Sequence, residues 1–529
     1  MNKPVTADIK TGATTSQSIA DLREWLTRVE AIGELVRIDK PVDRDEEMSA
    51  IAYLVAKQQP SPAVLFERAS GFDKSPIGAR LLWNVLGPSI KRVALTLEEP
   101  ADTPTVELIR RCKNKLKQRI PPREIAAKDA PIFENSITGN NIDLDQLPIP
   151  RHWPLDGGRY AGTADAVITR DPDSGYLNIG TYRMMQQGKS ECGLYLSPGK
   201  DARLHITRAW QQGKSIEVAA AWGIDPLFMM VGSQTFAKNV SEYEAAGGIK
   251  GYPIPVVRGK TTDLLIPANA ELVIEGVIDL NSVKAEGPFG EFPGYYGRPE
   301  AGCPLVKITA IHHRTKPVLT NALMADYPSC EQSGFFSVIR SAKIWDDLDK
   351  LGIPGIAGVY SHPAAAGGFG MTVLSLEQRY AGHAAQALAL AAQVPGGAYY
   401  TKWIVAVDED IDPTDMDQVI WAMASRCNPI DDIDILRNTW STWLDPTQNP
   451  PEKRPYGSKA LINACKEHRH LPVFSKRTTL RKPVYDQVAS RWKELGLPGK
   501  IPQVRAFESE NKVVYHEVGG FEPGKQPGE

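Results

Sequence analysis

Two glutamates, Glu286 and Glu291, flank a Gly-Pro-Phe-Gly turn within the stretch 281–299, N-S-V-K-A-E-G-P-F-G-E-F-P-G-Y-Y-G-R-P. Glycine and proline at this density stop a helix or a regular strand, because glycine costs backbone entropy and proline lacks a donor. Two carboxylates held close together repel, so one is kept protonated near neutral pH while the other stays ionised. That division suits general acid/base chemistry. The plainer reading is a surface turn carrying two solvated acids. Phe289, Phe292, Tyr295 and Tyr296 argue against it, because they imply a partly buried wall.

Other clusters are less specific. The segment D-E-D-I-D (408–412) lacks the glycine and terminal glutamate of a calcium loop and reads as acids solvating a strand end. The basic run R-R-C-K-N-K-L-K-Q-R (110–119) reads as the solvated face of a helix. The six cysteines, Cys112, Cys192, Cys303, Cys330, Cys427 and Cys465, form no C-x-x-C pair, which suits free thiols in a reducing cytoplasm. There is no G-x-G-x-x-G and no P-loop.

The elements that must hold these residues follow from periodicity. A chain of 529 residues, 42% hydrophobic and 23% charged, is soluble-globular in composition and too long for one core. A formal net charge of -2 gives no case for nucleic acid or an anionic membrane. No apolar run is long enough to span a bilayer, and the polar start carries no signal-peptide core. Residues 1–17 read as disordered and 501–529 as a tail. A helix at 18–32 puts Leu22, Trp25, Leu26 and Val29 on one face; a strand at 34–38, a helix at 45–57, a strand at 63–67 and a helix at 105–119 complete an N-terminal α/β domain, 18–130.

From 131 to 325 the texture is short strands and turns, which predicts a barrel-like domain holding the Glu286 loop. A hairpin is expected from 163–170 and 176–187, with Asn178, Gly180 and Tyr182 facing one way and Ile179, Thr181 and Arg183 the other. Residues 326–500 alternate between helix and strand, including an alanine-rich helix at 378–393, a strand at 402–407 and a helix at 414–426. That order favours a mostly parallel sheet. The fold class is α+β and multidomain.

Four stretches together resemble the UbiD-like decarboxylases, which include ferulic acid decarboxylase and use prenylated FMN: N-I-G-T-Y-R (178–183), S-E-Y-E-A-A-G-G-I-K-G (241–251), E-G-P-F-G-E-F-P-G-Y-Y (286–296) and K-W-I-V-A-V-D-E-D-I-D (402–412). The resemblance implies a central split β-barrel that binds the flavin and a C-terminal α/β domain that oligomerises. It implies Arg183, Glu286 and Glu291 as the catalytic residues, with Glu291 the proton donor. It also implies cofactor contacts from Asn178, Gly180, Thr181, Arg183, Lys200, Glu242 and Lys402. Asn178 and Glu242 would be metal ligands, oxygen donors suited to a hard cation. The implied ions are a divalent metal (manganese, with iron(II) and magnesium as alternatives) and potassium. Where the family usually has a histidine ligand, this chain reads L-Y-L-S-P-G-K-D-A-R-L-H, which leaves His205 or a direct Lys200–phosphate contact.

The implied activity is reversible non-oxidative decarboxylation of an aromatic or α,β-unsaturated acid, free or part of an aromatic acyl-coenzyme A. Implied partners are CO2, a flavin prenyltransferase that supplies the cofactor, and further copies of the chain in a homodimer or a larger assembly such as a hexamer. Two other classes compete: an inactive flavin-binding or assembly subunit, and an ordinary FMN oxidoreductase. Tyr327, Phe335, Phe336, Trp440 and Trp443 are either pocket wall or core.

Overall fold

The computed structural model describes residues 19–234, 236, 240–448, 456–504 and 507. The expected disorder at 1–17 and nearly all of the tail after 504 lie outside them. The described chain forms two compact units, one from residues up to 103, 115–289 and 299–323, the other from 104–114, 290–298 and 324 onward.

In the first unit the opening helix is Leu22–Ala31, starting later than 18 and capped by Asp21, and it buries the predicted Leu22, Trp25, Leu26 and Val29. It accompanies a four-stranded sheet of Leu35–Ile38, Ala63–Phe66, Arg80–Trp83 and Val318–Thr320. The strand Val318–Thr320, expected in the middle domain, thus completes the N-terminal sheet by pairing parallel to Arg80–Trp83.

The larger sheet of this unit runs, in spatial order, Tyr160–Gly162, Met184–Gln186, Glu191–Leu194, Glu300–His313, Leu272–Glu286, Ile216–Trp222, Asp165–Arg170 and Leu177–Gly180. Its connected pairs are antiparallel. Leu177–Gly180 lies at one end of this path, and Met184–Gln186 lies next to the other end. Only residues 181–183 join them, a span of at most about 14 Å. The sheet must therefore curl until its two ends nearly meet, and residues 181–183 form the seam of a split barrel. Side chains from the strands (Val167, Met184, Leu194, Val218, Ile274, Val306) fill the interior, and Ala202, Ile206 and Ala209 of the helix Asp201–Gln211 close it.

Glu275, on the strand Leu272–Glu286, ties a surface turn to this sheet. Its buried carboxylate accepts hydrogen bonds from His312 Nε2 (2.7 Å), the Thr262 hydroxyl (2.5 Å) and the Lys260 and Thr262 N–H groups (2.8 and 2.7 Å). Burial pushes the carboxyl up, but the bonds from His312, Thr262 and Lys260 more than offset it and leave the group at about 2, against an ordinary 4.5. A lowered folded-state value stabilises the fold above about pH 4.5, and that stabilisation fades as pH falls towards 2. The gap corresponds to about 3 kcal/mol. Urea titrations between pH 5 and 2.5 should show a steeper loss in the wild type than in Glu275→Gln, which should already be weaker at pH 7. Parallel curves would refute the assignment.

The second unit holds a mixed sheet ordered Ile356–Ser361, Met371–Leu376, Trp403–Asp408, Gly457–Ala464 and Ile433–Thr439. Its three central strands are parallel and its two edge strands antiparallel, so the expected mostly parallel sheet holds only at the centre. The alanine-rich helix is shorter than the pattern suggested, His383–Ala391.

Two electrostatic expectations are corrected here. Asp408 and Asp410 do not solvate a strand end: Arg426 binds Asp408 at 2.7 Å and Asp410 at 2.8 Å, and Arg477 adds a contact to Asp410 at 3.1 Å. The basic helix is Thr105–Lys115, and its Lys113 is buried, paired with Asp349 at 2.6 Å and set over the Trp345 ring. In both places an unpaired charge would lose its hydration, so opposite charges from distant sequence are drawn in.

Candidate active site

The seam carries Arg183. Period-2 alternation stops at Gly180, because residues 181–183 leave the ladder, and the two-faced strand expected over 176–187 is two strands. Other groups hold the backbone here. The Thr181 N–H reaches the Gly232 carbonyl at 3.4 Å, the Tyr182 N–H donates to Asp165 Oδ1 at 3.1 Å, and the Arg183 carbonyl accepts from the Tyr195 N–H at 3.1 Å. Burial pushes the Asp165 carboxyl well up, and the Tyr182 N–H opposes this. A Cβ at Gly180 would meet the Tyr182 ring at 2.3 Å, which restricts that position to glycine.

Arg183 and Glu286 form a buried bidentate pair, Nε to Oε1 at 2.9 Å and Nη2 to Oε2 at 2.7 Å. The guanidinium lies 3.9 Å from the Tyr195 ring centre and 5.4 Å from that of Phe289. Glu286 closes the long strand Leu272–Glu286, so the chain does not break at 281; Asn281 instead absorbs a left-handed kink (φ 57°) beside a register shift against Glu300–His313. The glycine-proline turn follows at Gly287-Pro288. It packs so tightly on Gly157 that a Cβ there would meet the Gly287 carbonyl at 2.1 Å.

The Tyr160 hydroxyl donates to Glu286 Oε1 at 2.8 Å, and the Cys303 thiol stands 4.0 Å from Oε2. Burial and the Glu286 charge push the Tyr160 phenol up, with Arg183 opposing, so it stays a donor at all ordinary pH. Burial and Glu286 likewise push the Cys303 thiol up, to about 12, which keeps it from ionising.

A second group of polar atoms lies on the strand before the seam and on neighbouring helices. Glu242, first residue of the helix Glu242–Lys250, is buried, and its Oε2 accepts the Ile179 N–H at 2.7 Å. Burial pushes its carboxyl up to about 8; the Ile179 N–H opposes this and the charge of Asp201 adds to it. Among the described residues Asn178 Nδ2 and Thr181 Oγ1 are buried without a hydrogen-bond partner. His205 is also buried. Its Nδ1 is engaged with Thr169 Oγ1 at 2.9 Å, its ring meets Tyr176 edge-on, and burial holds its pKa down. Lys200 precedes the helix Asp201–Gln211 as its N-cap and gives no side-chain cap. Among the described residues no three His, Cys, Asp or Glu side chains group as a ready-made metal site.

Glu291 and Lys402 belong to the second unit. Glu291 is nearly buried (8% exposed) in a tight turn, with its N–H on the Tyr295 carbonyl and its carbonyl taking the Gly294 N–H, both at 2.9 Å. Phe292 packs on Phe369 and Tyr400 at ring distances of 4.6 and 5.4 Å. Phe289 and Phe292 are buried as expected, but Tyr295 and Tyr296 are exposed and form no wall. Lys402 Nζ pairs with Asp445 at 2.8 Å. Phe335 and Phe336 are core, whereas Tyr327, Trp440 and Trp443 are exposed.

Tyr160, Asp165 and Asp201 were not singled out from the sequence. The only signal for Tyr160 is its place closing D-G-G-R-Y (156–160), a glycine-rich loop ending in an aromatic. Asp165 is an acid inside an apolar strand, D-A-V-I-T-R. Asp201 stands beside the two residues that were considered.

The chain matches three domains described for 3-octaprenyl-4-hydroxybenzoate carboxy-lyase: the N-terminal domain over 26–112, the Rift-related domain over 123–327 and the C-terminal domain over 333–464. A phenolic acid decarboxylase of Bacillus subtilis is 32% identical, over 81% of this chain and 89% of its own length. One from Sedimentibacter hydroxybenzoicus is 33% identical, over 84% and 91%. The vanillic acid decarboxylase of Sedimentibacter hydroxybenzoicus superposes with a TM-score of 0.80 at 30% identity, covering 91% of this chain and 99% of that one. The UbiD-class enzyme HmfF from Pelotomaculum thermopropionicum, in complex with prFMN, gives 0.76 at 28% identity, over 89% and 98%. With matches to all three domains and relatives spanning over four-fifths of its length, this chain belongs to the UbiD family of carboxy-lyases and is a decarboxylase.

Proposed function

We propose that the chain releases CO2 from an aromatic or α,β-unsaturated carboxylic acid with prenylated FMN as cofactor, the cofactor phosphate being held through a divalent cation, manganese first among the candidates, with potassium beside it. The observation that carries this reading is the Arg183–Glu286 pair, buried within a few residues of Asn178 and Thr181, whose polar atoms lack partners among the described residues. The relatives that act on phenolic and vanillic acids support the aromatic class, and the prFMN complex of HmfF supports the cofactor.

The residues present fit that group. Asn178 and Thr181 have buried polar atoms without partners among the described residues, and Glu242 is a carboxylate whose burial a cation would offset. We assign the third ligand to Asp201, whose charge acts on Glu242, Tyr182 and His205 alike, with His205 Nε2 as the alternative, its Nδ1 being fixed by Thr169. Lys402 would add positive charge near the phosphate.

When bound, prenylated FMN supplies the electron sink that no side chain provides. Arg183 stays cationic and offers a planar fork to a carboxylate or to the cofactor edge, while Glu286 fixes the direction of that fork. Glu291 delivers a proton to the carbon that loses CO2. High CO2 pressure would run the same step towards carboxylation.

Protein made alongside a flavin prenyltransferase should release CO2 from phenolic acids and carry a cofactor of the prenylated mass. Asp201→Ala should lower divalent-metal content and flavin retention together, and His205→Ala should leave both near wild type. Full activity with unmodified FMN would exclude the cofactor assignment; metal loss in His205→Ala alone would move the ligand to His205.

A further inference from the structure

Glu286 is held from three sides, and the two oxygens of its carboxylate are not equivalent. Oε1 accepts both the Tyr160 hydroxyl at 2.8 Å and Arg183 Nε at 2.9 Å. Oε2 accepts Arg183 Nη2 at 2.7 Å, and its other neighbour is the weak thiol donor of Cys303 at 4.0 Å. Hydrogen bonds to a charged oxygen stabilise it, and Oε1 receives two of them from different elements of the fold. A carboxylate held only by a bidentate arginine would have two similar oxygens and could rock about the axis that joins the two groups.

We infer that Tyr160 is a positioning residue of the decarboxylase site: its hydroxyl locks the orientation of Glu286 against Arg183. Tyr160 can do this because it is immobile. It is fully buried, its ring rests on Phe289 at 4.2 Å, and the N–H of its own backbone is bound to the Pro150 carbonyl. Phe289 in turn lies against His152, which packs on Trp83, so the hydroxyl is braced by a row of rings running back to the N-terminal sheet. The hydroxyl's other acceptor among the described residues is the Pro288 carbonyl at 3.4 Å, too long to compete. A tyrosine present only to fill the core would need no such partner, and phenylalanine would serve as well.

The inference rests on the proposed roles of Arg183 and Glu286, and the test separates the two claims. Tyr160→Phe keeps the ring and removes the donor. With the prenylated cofactor loaded, kcat should fall by about tenfold to a hundredfold, the scale of one hydrogen bond to a charged group, with KM little changed. Genetically encoded 3,5-difluorotyrosine at position 160 keeps the shape and the donor, so its kcat should stay near wild type. A kcat lost in Tyr160→Phe and kept in the difluorotyrosine protein, with KM steady in both, supports the inference. Wild-type kcat in Tyr160→Phe overturns it; should Tyr160→Phe not fold, a loss of about tenfold in kcat of the difluorotyrosine protein, which keeps the donor, overturns it alone. Wild-type protein that holds the cofactor yet releases no CO2 from any carboxylic acid tried would instead refute the functional reading.

Discussion

Glu291→Gln is expected to lower turnover by about 10²-fold or more, the usual scale for removing a general acid, while flavin content and thermal stability stay near wild type. Glutamine has nearly the same shape and keeps an acceptor, but it cannot deliver a proton. The turn that presents Glu291 is closed by backbone hydrogen bonds to Tyr295 and Gly294, which the substitution leaves intact. The same holds for Phe292, whose packing on Phe369 and Tyr400 anchors the next residue. Activity therefore reports on the proton alone. The measurement is product formation in heavy water: the variant should incorporate deuterium at the decarboxylated carbon more slowly than the wild type, in step with kcat. A variant with wild-type turnover would return Glu291 to the class of loop carboxylates.

Glu286→Leu should be as damaging, for a different reason. Arg183 cannot shed its proton, so removal of its partner leaves a buried charge, at a cost of about 3–5 kcal/mol in unfolding free energy. The Tyr160 hydroxyl loses its acceptor at the same time. Decarboxylation should become unmeasurable. The double variant Glu286→Leu with Arg183→Met replaces the pair with apolar groups of similar size and should regain most of the stability but none of the activity. Chemical denaturation of the wild type, both single variants and the double closes the cycle. If Glu286→Leu is as stable as wild type, the pair is not the buried, mutually dependent unit described above.

The family and the split-barrel architecture were legible in the four motifs, and local periodicity gave the buried face of the first helix residue for residue. What escaped the sequence was set by contacts between distant segments. Val318–Thr320 joins a sheet whose other strands lie between residues 35 and 83. Nothing in its own apolar run records that partner. Asp408 and Lys113 looked solvated because their neighbours in sequence are polar or charged; their true partners, Arg426 and Asp349, are brought by the fold. Tyr160 escaped for the same reason, since the acceptor that gives its hydroxyl a purpose is Glu286, on another strand of the sheet. The break at 181–183 has no breaker residue: it holds no glycine or proline, and Thr181 and Tyr182 favour extended backbone. They leave the ladder because the sheet ends there and Asp165 offers the Tyr182 N–H another partner.

The seam has a consequence for how such a protein can vary. Inserting or deleting one residue within a paired strand turns every later side chain to the opposite face. Residues 181–183 belong to no ladder, while the pairing of Leu177–Gly180 on one side and of Met184–Gln186 on the other is fixed by separate neighbours. A length change of one residue there would leave both registers as they are, but it would re-aim Arg183 away from Glu286 and move Thr181 with it. Descent with small insertions can thus try new placements of a buried cation while the barrel around it stays the same, an economy open to a lineage that keeps one scaffold and changes what it acts upon.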